Sequence, residues 1–415
     1  MKNYFGLLLL LLFQSITHAQ TAKSLQECES EFLKNNLFLL AEQYNIDAAE
    51  ALIVQSRIWE NPLLTAELNA YNPDANRYFD NGKNGQKVFG IEQIIYLGGK
   101  KRNEKRLYQT EKSIAVLEFD DLLRTLKYEL RLNFFEIYYN QQKIEATDKQ
   151  IEHIQELISS YSIQVKNGNI PLRDLVRLQS LFVNFKNERI EFLNNSIDAQ
   201  TTLKLLLSQK EDIIPDFNDI SFEKYTKSFT DTLEILEKQA LNSRPDYLSK
   251  QKEIEAQQFN LKWQKSLSIP DLTIGANYDQ QSGAFNNEAN LTIAIPFPLW
   301  NSNKGNIQHA KVMIEQSKAI NNQSALQIST EVRAAYEKWN MARNNYVELY
   351  PAIGQDFQIV YEGILNNFRK RNISLMEFTD FMESYNQANI QLNELKKNVV
   401  HSAEQLNTTI NKDLF

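Results

Sequence analysis

Four short stretches of the chain alternate apolar and polar residues with a period of two. In residues 63–71, Leu64, Ala66, Leu68 and Ala70 share one face, and Thr65, Glu67 and Asn69 share the other. In 271–279, Leu272, Ile274, Ala276 and Tyr278 oppose Thr273, Gly275, Asn277 and Asp279. In 288–296, Ala289, Leu291, Ile293 and Ile295 oppose Glu288, Asn290, Thr292 and Ala294. The stretch 87–97 is less regular, with Phe89 and Ile91 opposite Val88, Gly90 and Glu92. The pattern predicts four strands of about nine to eleven residues, the length of a tilted membrane strand. A half-buried sheet in water has the same period, so alternation alone leaves both readings open. The connections 72–86 and 280–287 are rich in Asn, Asp and Gly and predict turns facing water.

After each strand pair the period becomes helical. Phe119, Leu122, Leu126, Leu130, Phe134 and Ile137 recur every three or four residues, and a second stripe adds Leu123, Phe135 and Tyr138. Lys100 to Lys166 contains neither Pro nor Gly, and such a helix reaches about 100 Å. Phe378, Phe381, Tyr385, Ala388, Leu392, Leu395 and Val399 form a heptad seam. Helices this long suit a wall of side-by-side helices better than a globular core.

The pattern occurs twice. Asn61-Pro62-Leu63-Leu64-Thr65 returns as Ile269-Pro270-Asp271-Leu272-Thr273, and Leu97 of the 91–100 segment returns as Leu299. Asn169-Ile170-Pro171-Leu172-Arg173-Asp174-Leu175 returns as Asn372-Ile373-Ser374-Leu375-Met376-Glu377-Phe378. The fold expected is mainly α with a small β part and an internal two-fold repeat. A first repeat covers 20–207, with strands near 63–71 and 87–97 and long helices near 100–166 and 171–207. A linker or equatorial segment covers 208–230, and a second repeat covers 231–415. The second repeat has strands near 271–279 and 288–296 and long helices near 302–369 and 373–411.

The N-terminus changes the expected compartment. Lys2, the leucine-rich run Gly6–Phe13 and Thr17-His18-Ala19 read as a signal peptide over 1–19, with the mature chain starting at Gln20. The run is too short to span a bilayer, and mean hydropathy is negative. Neither observation excludes a β-barrel, whose strands make no continuous apolar window. Cys28 is the only cysteine; it follows Glu27, a poor lipidation context, and is expected as a buried free thiol. The net charge of −7 argues against nucleic acid as a partner. With 12 Gly and 9 Pro in 415 residues the composition favours helix. His18, His153, His309 and His401 are scattered, so no metal site is expected. No nucleophile–base constellation or phosphate loop occurs, so neither enzyme nor cofactor is expected.

Six short elements in order resemble the TolC-like outer-membrane factors, in the branch serving heavy-metal efflux of the cobalt-zinc-cadmium and copper-silver type. They are Leu97-Gly98-Gly99-Lys100-Lys101, Ile295-Pro296-Phe297-Pro298-Leu299-Trp300-Asn301, Asn303-Lys304-Gly305-Asn306-Ile307, Arg244-Pro245-Asp246, Pro270-Asp271-Leu272, and Pro351 ahead of a hairpin tip. The resemblance covers nearly all of the mature chain. It implies a homotrimer whose protomers each give four strands to a twelve-stranded barrel in outer-membrane lipid. Long antiparallel helical hairpins would form one third of a periplasmic α-barrel. It further implies a periplasmic adaptor (membrane fusion) protein and an inner-membrane RND transporter as partners, and heavy-metal cations as cargo. Drug efflux or type I protein secretion through the same kind of channel is the alternative. A periplasmic coiled-coil scaffold without a pore is the other, though it leaves the four strands without a role.

Gly98-Gly99 and Pro296 with Pro298 stand where strand must turn into helix, one pair through backbone freedom and the other through a missing donor. The resemblance places the periplasmic entrance at two hairpin tips, formed by Gly168, Asn169, Ile170 and Pro171, and by Asn372, Ile373 and Ser374. Asp174, Glu377 and Asp380 match the acidic residues of that entrance, and a threefold assembly would turn each into a ring favouring cations. Arg173, Arg369 and Arg371, with Arg177 and Lys370 beside them, are candidates for closing ion pairs. Solvated helix-end charge is the plainer reading of all of them. Arg371 takes the place that Gly168 holds in the first tip, which predicts a differently shaped second turn. Glu67, Glu92 and Glu288 are candidates for lining a lumen, and equally for plain exposed strand residues.

Overall fold

The computed structural model describes residues 22–415 apart from 84, 230, 282–283 and 354–356, so the segment 1–19 expected as a signal peptide lies outside the described residues. In chain order the elements are β1 (Ala22–Lys23), α1 (Leu25–Asn35), α2 (Leu37–Arg57), β2 (Leu63–Leu68), β3 (Tyr71–Asn72), β4 (Arg77–Tyr78) and β5 (Gln86–Ile95). Then come α3 (Lys100–Lys166), α4 (Leu172–Leu207), β6 (Ile214–Pro215), α5 (Asp219–Glu223), α6 (Leu233–Ser243) and α7 (Pro245–Leu267). The chain ends with β7 (Leu272–Gln281), β8 (Phe285–Ala294), α8 (Lys304–Ile353), α9 (Phe357–Arg369) and α10 (Leu375–Ile410). The protein is mainly helical.

The chain folds into two compact units, and they are not its sequential halves. One unit comprises 40–122 and 241–329; the other comprises the residues up to Leu39, 123–240 and 330–415. Each half contributes to both, because α3 and α8 run through the boundaries of both units.

The first unit holds the sheet. β2, β5, β7 and β8 pair in that order, every neighbour antiparallel. The strand expected over 63–71 ends at Leu68, because Tyr71-Asn72 leaves the sheet to pair with Arg77-Tyr78 in a ribbon of its own. β8 starts at Phe285 and ends at Ala294, ahead of Pro296, which has no N–H for a ladder. Register aligns Leu64 with Ile91 and Ala276 with both Ile91 and Leu291. It likewise aligns Phe89 with Ala66 and Tyr278, and Ile274 with Ile293. These side chains form one apolar face, and it is open: Leu64, Leu291 and Ile293 are among its exposed residues.

The second unit is built on α1, most of α3, α4, α9 and α10. Ser24 and Ser374 open α1 and α10 with capping boxes, each hydroxyl accepting from the N–H of a Glu three residues on. An aromatic cluster forms around Phe135, whose ring lies 5.0 Å from Phe217 and 5.4 Å from Phe134. Beside it Arg131 donates to Glu29 (2.6 Å), Glu404 (2.6 Å) and Asp413 (2.8 Å). Glu404, 1% exposed, also accepts from the Tyr225 hydroxyl at 2.7 Å and from Asn407 at 3.1 Å. This network ties the start of the chain, α3 and the C-terminus together. Cys28 is a buried free thiol whose pKa burial pushes up to about 12.

Candidate functional site: paired hairpin tips and an acidic sheet face

Both tips are built by the same turn. At the first, Gly168 N–H bonds to the Val165 carbonyl (3.0 Å) and Asn169 N–H to that of Gln164 (2.9 Å), which is a Schellman ending of α3. At the second, Arg371 N–H bonds to Phe368 (2.9 Å) and Asn372 N–H to Asn367 (2.9 Å). The left-handed residue is Gly168 at φ +73° in one and Arg371 at φ +62° in the other. The expectation of a differently shaped second turn is therefore wrong. Arginine accepts the left-handed conformation at a steric cost, and the hydrogen bonds decide the geometry. The side chains agree as well: Asn169 donates to Gln164 (2.8 Å), and Asn372 to Asn367 (3.2 Å).

Beneath the tips the two hairpins share one core of Ile154, Leu178, Leu181, Leu365, Phe368, Phe378 and Met382 with their neighbours. Phe368 stacks on Phe378 with centroids 4.2 Å apart, joining α9 to α10. The tip positions are thus set by a packed four-helix contact.

The charged residues divide by partner. Asp174 sits in the first turn of α4, with Arg173 at 3.6 Å. Glu377 holds the matching place in α10, and its carboxylate accepts the Ser374 N–H and hydroxyl, both at 2.8 Å. Those bonds, the backbone one first, hold its carboxyl below the usual carboxylate range. Asp380 is exposed on the next turn. Arg369 does not meet these acids within the chain; it pairs with Glu156 on α3 at 3.2 Å. Arg177, Lys370 and Arg371 are exposed.

Register decides the other candidates. Glu67 aligns with Val88, Val88 with Asp279, and Asp279 with Glu288, so three acids share one row across the sheet. Glu92 lies in another row, between Leu63 and Gly275. The face carrying these acids also carries Thr65, Asn277, Asn290 and Thr292, and no Lys or Arg of the four strands belongs to it. Alternation put Asp279 on the polar side, but only register reveals it as a member of this row.

At the first strand-to-helix junction Gly98 and Gly99 have φ of +67° and +74°. Asp271, which the sequence marks only as part of the Pro270-Asp271-Leu272 element and gives no role, holds that junction. Its Oδ1 accepts from the Leu97 N–H (3.0 Å) and from Lys100 Nζ (2.7 Å). Pro296 and Pro298 occupy the longer link from β8 to α8, where the left-handed residue is Asn303 at φ +57°. Among the described residues no cluster of His, Cys, Asp and Glu could hold a metal ion, and His18 lies outside them. His153 bonds through Nδ1 to the Tyr361 hydroxyl at 2.6 Å. Burial pushes His401 down to about 4.

A model of the outer membrane efflux protein family matches the chain twice, over residues 29–209 and 236–412. Among curated proteins, the cobalt-zinc-cadmium resistance protein CzcC of Cupriavidus metallidurans is 22% identical over 276 residues, 66% of this chain and 63% of the relative. The match thus spans less than two thirds of that relative's length. In structure the chain is similar to CusC, described in terms of transmembrane channel formation, with a TM-score of 0.73, 15% identity and coverage of 93% and 91% of the two chains. It is similar to the CmeC outer membrane channel of Campylobacter jejuni, with a TM-score of 0.74, 14% identity and coverage of 94% and 87%. At such identities the structural likeness speaks for the fold. The two family matches take in most of the sequence, and the chain belongs to the outer membrane efflux protein family.

Proposed function

We propose that the chain is one third of a trimeric outer-membrane exit duct, passing heavy-metal cations that an inner-membrane RND pump delivers through a periplasmic adaptor. The observation that carries this reading is the four-stranded sheet. Its apolar face is open, its other face is acidic, and its edge strands β2 and β8 have no further partner among the described residues. Hydrocarbon does not tolerate open edges, so the sheet has to close with other copies. Two copies give eight strands, whose interior side chains tend to fill, whereas three give twelve and leave room for water. The acidic rows would then line the pore as rings and favour cations. The long helices would continue the duct into the periplasm, with the hairpin tips as its entrance.

At that entrance Asp174 and Asp380 are the candidates for acidic rings, while Glu377 is already engaged in capping its helix. The leader over 1–19 would direct the chain out of the cell interior. Metal cargo is favoured by the likeness to a protein named for cobalt, zinc and cadmium resistance. Deleting the chain from its host tests the cargo. The expected result is sensitivity to divalent cobalt, zinc or cadmium, with dye and detergent tolerance intact; the reverse pattern would assign it to drug efflux. The chain should sediment with outer membranes and, in detergent, have the mass of three copies. A soluble single chain would refute the duct.

A further inference from the structure

The segments flanking the sheet's two edge strands carry apolar residues that stay half or more exposed in the single chain. Leaving β8, Ile295, Phe297, Leu299 and Trp300 are exposed, Trp300 at 92%. Entering β2, Ile58, Trp59, Leu63 and Leu64 are exposed as well. Both segments lie at the same end of the sheet, since Leu63 falls in one row with Glu92, Gly275 and Thr292. They lie on opposite edges, however, with β5 and β7 between. At about 4.8 Å per strand that is a separation of about 14 Å. A single copy cannot bring them together.

The corresponding exit in the first half has a partner within the chain, although Leu97 itself stays 38% exposed. After β5 the Leu97–Lys100 segment is met by Ile269, Pro270 and Asp271, the segment entering the next strand, β7. Asp271 bonds to Leu97 and Lys100, and Ile269 packs on Gly98 so closely that a Cβ there would lie 2.6 Å from its Cδ1. The exit of one strand is therefore seated on the entry of the next. For β8 the next entry in that order is β2 of another copy. The two seats differ in chemistry. Leu63 aligns with Asp271 in the repeat, so the ion pair has no counterpart. The longer second exit supplies bulky apolar side chains in its place. A groove of about 390 Å³ beside them, lined by Leu267, Pro270, Phe297 and Trp300 among others, offers room for a large side chain.

We propose that the exit segment Pro296–Asn301, centred on Trp300, is the seat for residues 58–63 of a neighbouring copy of this chain. The proposal rests on the trimeric reading and names the apolar seam that closes it at this end of the sheet. Aromatic residues at a membrane boundary also suit lipid headgroups, and the test separates the two. The full chain, in native outer membranes, carries a photoreactive benzophenone amino acid in place of Trp300 and is illuminated. A chain-to-chain adduct mapping to residues 58–63 is expected. Lipid adducts alone, or chain-to-chain adducts mapping elsewhere, overturn the proposal. The mass of the detergent-extracted particle is measured alongside. Three copies without the 58–63 adduct refute the seam and leave the trimer standing; a single copy refutes both. The second variant, Trp300→Asp, changes only an exposed position of the single chain. It is expected to lose the three-copy particle in detergent while Trp300→Phe keeps it, and an equal three-copy mass in both would contradict the proposal.

Discussion

Arg131→Met removes the cation that pairs with Glu404 in the ion cluster beside Tyr225. Arg131 is 9% exposed and Glu404 is 1% exposed, so water cannot replace the lost partner. Tyr225 and Asn407 still donate to the carboxylate, but neither neutralises it. Breaking a buried pair from one side costs about 3–5 kcal/mol, because a charge is left uncompensated. If that charge is the cause, Arg131→Met with Glu404→Gln should recover more than half of the loss. Acid gives a second signature. Burial pushes the Asp413 carboxyl up, but the Arg131 hydrogen bond and charge outweigh it and leave it below the usual range. A carboxyl held low in the folded state adds stability that is present above its unfolded pKa and lost as pH falls through its folded value. Wild type should therefore weaken below the ordinary Asp range. Arg131→Met, which removes the hydrogen bond and charge that hold the Asp413 carboxyl low, should lose less stability over the same acid range. The assay is denaturant unfolding in detergent followed by tryptophan fluorescence, with Trp339, 3% exposed and bonded to the Tyr225 carbonyl, as a nearby reporter. Equal losses in the single and double variants would refute the reasoning.

Phe368→Ala empties the stack on Phe378 between α9 and α10 and should cost about 3–5 kcal/mol. Amide hydrogen exchange at both tips should rise, and unchanged exchange would count against a shared core. Arg371→Gly relieves left-handed strain of about 1–2 kcal/mol against about 0.5–1 kcal/mol of added unfolded-chain entropy. The Arg371 and Asn372 amides should then exchange more slowly, whereas Gly168→Ala, with open space around its Cβ, should quicken exchange at the first tip through strain alone. Lys100→Met strips Asp271 of a charged donor at a nearly buried site, an interaction worth about 1.5–3 kcal/mol. The unfolding midpoint should fall, and Asp271→Asn should fall with it without adding to the loss in the double variant.

The parts legible in the sequence were those set by local pattern. A stretch free of Pro and Gly gave α3, and alternation gave the faces of β2, β7 and β8. The end of β2 at Leu68 was not legible, because Tyr71 and Tyr78 form a separate ribbon through a contact that no periodicity encodes. Nor was the acidic row, since Glu67, Asp279 and Glu288 come together only through register. Arg131 and Glu404 are 273 positions apart, and nothing local marks either as the other's partner. Glu377 teaches a different lesson. Its Ser-x-x-Glu spacing is a capping signal in plain view, and the same position suits a helix cap before it suits a gate. Arg371 shows why glycine alone is a poor guide to turn shape: the terminal carbonyls demand the same bonds whichever residue supplies the left-handed step.

The central claim is that copies of this sheet close into a water-filled, acid-lined pore. Purified chain in a planar bilayer tests it most directly, with reversal potential measured under a salt gradient. The account predicts discrete conductance steps with cation selectivity, and a clear loss of selectivity when Glu67, Asp279 and Glu288 are changed together to amides. No conductance from a three-copy particle, or a pore whose selectivity ignores those three residues, would contradict it.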